Sequence, residues 1–193
     1  MKDFILLLPI IFIFHDMEEL VGFGCFFRKN PWLYERFPKV MKNYKGFTNE
    51  GFALGVYEEF IPFFGVSLLA FYFPGKILYA LWFGIFISLL AHFFIHIGHS
   101  IYIRKYIPCL ITSVICLPIS ILILAKCAKF MVFDLVTISF IAAGILMMIL
   151  NMKLIYSLFP IVNAFFRKSY GEENDPLAAA FPEGVQDERD EQA

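Results

Sequence analysis

Five apolar segments dominate the chain, at about 4–27, 51–73, 77–102, 107–125 and 131–152. Each is close to the roughly 20 residues that a helix needs to cross a bilayer. In lipid, such a segment must satisfy its own backbone N–H and C=O groups, which a helix does. Composition closes the soluble alternative: 60% of the 193 residues are apolar and only 17% charged, with a mean hydropathy of +0.71. An ordinary soluble domain is about 25% charged. The expected fold is therefore all-α, a polytopic membrane helical bundle of five transmembrane helices. Leu154 to Phe166 is too short to span and is interrupted by Pro160, so it is expected as a short interfacial or re-entrant helix.

Residues 1–168 are expected to form the membrane-embedded domain and 169–193 a disordered acidic tail, because Glu172, Glu173, Asp175, Asp187, Glu188, Asp190 and Glu191 crowd that end. Base is also segregated. Arg28, Lys29, Arg36, Lys39, Lys42 and Lys45 follow the first segment, and Arg104, Lys105, Lys153, Arg167 and Lys168 fall on the same side. Lys2, Lys76, Lys126 and Lys129 fall on the other. The positive-inside rule then places the N-terminus outside and the tail in the cytoplasm of a multi-pass cell-membrane protein. Met1-Lys2-Asp3 leads into apolar sequence with no small-residue cleavage site, so the first segment reads as a retained anchor. Trp32, Tyr34 and Tyr106 sit at segment ends, as an aromatic belt would have them. The expected surroundings are membrane lipids, and no nucleic-acid footprint is visible. Cys25, Cys109, Cys116 and Cys127 form no C-x-x-C pair and read as apolar fillers.

The informative residues are the polar ones kept inside the segments. Segment one holds His15-Asp16-Met17-Glu18-Glu19, segment two Glu58-Glu59, and segment three His92, His96 and His99. An ionised acid costs about 2.5 to 3.5 kcal/mol at a helix centre, and no Lys or Arg lies within these three segments to pair with the acids. Protonation, imidazole, trapped water or a metal ion remains. His15 shares a helical face with Glu18 and Glu19, and His92, His96 and His99 share another. Counting about 1.5 Å per residue from the cytoplasmic ends puts Glu19 about 12 Å deep, Glu58 about 10 Å, His96 about 9 Å and His92 about 15 Å. Antiparallel threading thus brings the motifs to one layer. Pro62 also frees the carbonyl of Glu58 to face a water-lined cavity.

His15-Asp16-Met17-Glu18-Glu19 carries the H-x-x-E-E pattern. With Glu58-Glu59, His92-x-x-x-His96 and the stretch Ser100-Ile101-Tyr102-Ile103-Arg104-Lys105-Tyr106-Ile107-Pro108, the chain resembles the HXXEE-domain family of bacterial integral membrane proteins over roughly residues 5 to 125. That family has no assigned biochemical activity. The resemblance implies Gly after the final Pro, where this chain has Cys109, and Gln as a common residue at the position of His99, which argues against an essential role for His99.

Imidazole with carboxylate suits Zn²⁺, Fe²⁺ or Mn²⁺. The expected ligands are His15, Glu19, Glu58, His92 and His96, around one or two divalent ions, with Glu18 or Glu59 as proton acceptor. Asp16 lies off the shared face and is expected behind the ligands or facing the cavity. The leading expectation is a metal-dependent membrane enzyme, either a hydrolase or a di-iron oxidoreductase, acting on a lipid or other amphipathic substrate. A carrier of protons or divalent ions is the alternative, disfavoured because segments four and five offer little that is polar beyond Ser, Thr and Asn151. A non-catalytic membrane protein, with the histidines as interhelical hydrogen-bonding groups, is another. An intramembrane Glu/His protease would need Arg where Phe23 stands.

Overall fold

The computed structural model describes residues 1–44 and 47–170, apart from the side chains at 40, 43, 167 and 170. The expected acidic tail, from residue 171, and Lys45 lie outside the described residues. The elements are α1 (Lys2–Ile5), α2 (Leu7–Lys29), α3 (Trp32–Arg36), α4 (Pro38–Met41), a 3-10 turn (Lys42–Tyr44), α5 (Asn49–Tyr72), α6 (Lys76–Ile103), α7 (Leu110–Ala128) and α8 (Leu135–Tyr170). No strand occurs among the described residues.

Among the described residues, four helices are long and apolar enough to cross a membrane: α5, α6, α7 and, over Leu135–Phe166, α8. With its 23 residues α2 nearly matches α5 in length, but the polar cluster in its middle keeps it out of that group by composition. The separate interfacial helix expected at Leu154 to Phe166 is not present. Instead α8 runs for 36 residues straight through Pro160. The missing Pro N–H removes one hydrogen bond, to the Tyr156 carbonyl, while Ile155 and Phe159 in the turn before it are buried and hold that turn in place. At about 1.5 Å per residue α8 is about 54 Å long, well beyond the roughly 30 Å of a hydrocarbon core.

Local signals set the helix ends. Thr48 caps α5, its Oγ1 accepting from the Gly51 N–H at 3.0 Å and donating to Asn163 Oδ1 of α8 at 2.8 Å. Asp134 caps α8 by accepting from the Thr137 N–H at 3.0 Å, and it pairs with Lys76 at the start of α6. Between α6 and α7 the chain turns on two residues with positive φ, Arg104 at 57° and Cys109 at 124°.

The bundle has two distinct ends. At one, Lys105 donates to Asn30 Oδ1 at 3.0 Å and stands over the Trp32 ring, so the basic segment after α2 meets the basic α6–α7 turn. At the other, Lys76 meets Asp134, Lys2 lies over Phe71 and Lys126 over Phe4. Thus α2 runs from one end to the other alongside α5. The half nearer Lys76 is apolar: Phe12 stacks on Phe63 at 4.3 Å, and Trp82 and Phe86 are fully buried. There α6 and α8 cross closely, since a Cβ on Gly84 would lie 2.1 Å from the Ile141 carbonyl oxygen and one on Gly144 2.4 Å from that of Leu81. Outward faces are strongly apolar, with Val21, Ile61, Ile101 and Leu135 each at least 68% exposed, a surface that suits lipid.

Candidate metal centre

His15 and Glu19 are one turn apart on α2, and His92 and His96 one turn apart on α6, so each pair shares a face. The two faces meet. Glu19 Oε1 lies 2.8 Å from His96 Nε2, 3.6 Å from His15 Nε2 and 4.0 Å from His92 Nε2, and the Nε2 atoms of His92 and His96 are 2.6 Å apart. All four ligand atoms fall within 4.8 Å of one another, in a group that can hold a metal ion. His15 is fully buried and Glu19 is only 4% exposed.

The donor set fits a cation. A tetrahedral ion with bonds of about 2.0–2.1 Å keeps its ligand atoms roughly 3.4 Å apart, and the observed separations bracket that value. His15 Nε2 and Glu19 Oε1 are buried without a hydrogen-bond partner, although such groups nearly always have one. Three imidazole nitrogens and a carboxylate oxygen face one point, two of them orphaned, and such a group could hold a metal ion.

Glu18 has other partners. Its Oε2 accepts from the Thr112 N–H at 2.8 Å and the Thr112 hydroxyl at 2.6 Å; its Oε1 accepts from the Tyr106 hydroxyl at 2.5 Å and the Ile111 N–H at 3.4 Å. The carboxylate thereby satisfies N–H groups in the first turn of α7, where a negative charge is favoured. Partial burial and the bond to Glu18 push the pKa of Tyr106, in the α6–α7 turn, up to about 12, which keeps its proton available for donation. Behind the cluster, His15 Nδ1 lies 2.9 Å from Thr112 Oγ1.

A cavity of about 560 Å³ opens beside the cluster, within the range of about 300–1,000 Å³ that small ligands occupy. Its polar lining comes from Asp16, Glu19, Glu59, His92, His96 and His99, with Tyr44, Tyr156 and Lys153 further along. The rest is apolar, including Phe23, Phe52, Val56, Phe63, Met148 and Phe159. Of the sequence-expected residues, then, His15, Glu19, His92 and His96 come together and Glu59 and Asp16 face their cavity. Glu18 turns to α7. Glu58, expected as a ligand, stands outside the four-residue group and accepts from Asn151 Nδ2 of α8 at 3.1 Å. Next along α6, His99 has its ring centroid 6.5 Å from that of His96.

Sequence reasoning missed Thr112, Tyr106 and Lys153 as parts of the site. A signal existed for the first two: both flank Pro108, inside the stretch that the resemblance covers, and Thr112 is a hydroxyl early in an apolar segment. Lys153 reads from the sequence only as one of the basic residues of the cytoplasmic side, a consequence of ending the fifth segment at residue 152.

No curated protein and no solved structure matches the chain. A family described as "Protein of unknown function with HXXEE motif" matches residues 6–123, a stretch that contains His15, Glu19, Glu59, His92, His96 and Thr112, and the chain belongs to that family.

Proposed function

We propose that the protein is a membrane enzyme in which His15, Glu19, His92 and His96 hold one divalent ion inside the bilayer, with α2 as a fifth crossing helix. The observation that carries this reading is the convergence of three Nε2 atoms and Glu19 Oε1 on one point, with His15 Nε2 and Glu19 Oε1 buried there without a hydrogen bond. Four ligands make one centre. Glu58 belongs to Asn151 in this reading, and Asp16 and Glu59 remain as cavity-facing acids.

The cavity supports an amphipathic substrate, because an apolar chain fits among Phe52, Phe63 and Phe159 while its polar group reaches the histidines. A bound Zn²⁺ or similar ion would polarise a carbonyl and acidify a water. Glu59, the spare carboxylate, would take that water's proton as the oxygen adds to the carbonyl, and would return it to the alcohol or amine that leaves as the acyl bond breaks. An ester or amide of a long-chain lipid is the fitting substrate class. The carrier reading is weaker, because the aromatic plug of Phe12, Phe63, Trp82 and Phe86 and the close α6–α8 crossing occupy the half of the bundle toward Lys76, which leaves a carrier no second exit.

Elemental analysis of detergent-purified protein tests the centre, with about one Zn, Fe or Mn per chain expected and its loss in His96→Ala and Glu19→Gln. Wild type free of metal after zinc loading overturns it. Release of fatty acid from a long-chain acyl ester tests the reaction, and Glu59→Gln should keep the metal but lose turnover.

A further inference from the structure

Three facts about His15 are independent of any bound ion. Its Nδ1 lies 2.9 Å from Thr112 Oγ1, its Nε2 faces the cluster, and the ring is fully buried against Phe93 at a centroid distance of 4.8 Å. A neutral imidazole carries one proton, on either nitrogen, and only the nitrogen without it can bind a metal. What selects the tautomer is the direction of the hydrogen bond to Thr112. That hydroxyl has one proton to give. Glu18 Oε2 lies closer to it than His15 Nδ1 does, at 2.6 Å, and as a carboxylate oxygen it is the stronger acceptor.

Glu18 is in turn fixed. Backbone N–H groups of Ile111 and Thr112 cannot act as acceptors, and they hold the carboxylate on the α7 first turn, with the Tyr106 hydroxyl on its other oxygen. The Thr112 proton therefore goes to Glu18. Its oxygen is left to accept, and the proton it accepts is that of His15 Nδ1.

We infer that Thr112 and Glu18 are positioning residues that hold His15 as the Nδ1–H tautomer, presenting the Nε2 lone pair to Glu19, His92 and His96. The inference rests on the metal-centre reading for its purpose, but not for its geometry. It also assigns separate tasks within H-x-x-E-E: the histidine and the last glutamate face the ion, and the glutamate between them governs which nitrogen of that histidine is free. Partners of this kind behind metal-binding histidines change affinity by about 10- to 100-fold when removed.

The test is ¹⁵N NMR of histidine-labelled, metal-free protein in detergent, with the His15 signals identified by their loss in His15→Gln, together with zinc affinity by competition against a chelator. Wild type is expected to carry the His15 proton on Nδ1. Thr112→Val should release that preference and weaken zinc binding about 10- to 100-fold, and Thr112→Ser, which keeps the hydroxyl, should restore both to within a few-fold. A simple packing role for Thr112 would give weak rescue by serine and no tautomer change. A wild-type His15 protonated on Nε2, or zinc affinity unchanged in Thr112→Val, overturns the inference. If wild type binds no zinc, the metal reading fails while the tautomer measurement still decides this one. That measurement is made on unaltered protein, so a variant that fails to fold does not prevent the decision.

Discussion

Cys109 shows how a single backbone angle constrains the site. At φ 124° and ψ −16° it occupies a region that L side chains avoid and glycine enters freely. The family resemblance implies Gly there, and the conformation supplies the reason: the turn must bring Pro108 against Gly22, whose Cβ would lie 2.3 Å from the proline ring, and start α7 where Glu18 can reach it. Cys109 is fully buried, so two changes at this position separate conformation from packing. Cys109→Ala loses the thiol and keeps the Cβ penalty, whereas Cys109→Gly loses the side chain and the penalty together. The glycine variant is expected to be more stable than the alanine variant by about 1 to 2 kcal/mol, as read from unfolding in detergent. Equal stabilities would mean the turn relaxes to negative φ. Helical spacing alone exposed the pairs His15/Glu19 and His92/His96, because a face is a property of one helix. It did not reveal where Glu18 and Glu58 point, because their partners Thr112 and Asn151 belong to helices whose packing no within-helix spacing encodes.

Elements explain why the cluster sits where it does. Close approach of α6 and α8 at Gly84 and Gly144 clamps the end of the bundle away from the cavity, and in both cases the atom in the way is a backbone carbonyl oxygen, which cannot rotate aside. Gly84→Ala is therefore expected to cost about 1 to 3 kcal/mol, checked by thermal unfolding in detergent, and Gly98→Ala on the same helix, with open space around it, should show no such loss. The ion pair that joins α6 to the start of α8 makes a pH prediction. Bonds from Lys76 and then from the Thr137 N–H hold the Asp134 carboxyl down at about 2. A lowered folded pKa means that the contribution is complete above the ordinary carboxylate range and fades as pH falls from about 4 to about 2. Wild type should lose stability across that window more steeply than Asp134→Asn, and parallel profiles would remove the pair from the account. The existence of α5, α6 and α7 was legible from apolar runs of spanning length. The unbroken α8 was not, since a proline reads as an interruption when the packing of Ile155 and Phe159 just before it is unseen.

At the scale of the whole molecule the question is how many times the chain crosses. Among the described residues four helices qualify by length and apolar composition, and an even number of crossings would leave Met1 and Tyr170 on one side of the membrane. The proposed fifth crossing is α2. Lys2 and Phe4 reach Phe71 and Lys126 at one end, Asn30 reaches Lys105 at the other, and α2 between them runs the length of its neighbours. Its acids are no bar to insertion, because each is turned inward: Asp16 and Glu19 are buried and Glu18 is bonded to α7, while Val21 on its outer face is 78% exposed. The same ends sort the base, with Arg28, Lys29, Arg36, Lys39, Lys42, Arg104 and Lys105 toward the Asn30 end and Lys76, Lys126 and Lys129 toward the other, an asymmetry that orients a membrane protein with its basic end in the cytoplasm. In intact cells, then, a cysteine placed at Asp3 should react with an impermeant maleimide, whereas one placed at Lys39 should react only after the membrane is opened; Cys25 is replaced by Ser in both to remove the exposed native thiol. Protection at both positions would return α2 to the cytoplasmic surface and take the proposed metal centre out of the bilayer, labelling at both would likewise mean that α2 does not cross, and labelling at Lys39 alone would reverse the orientation.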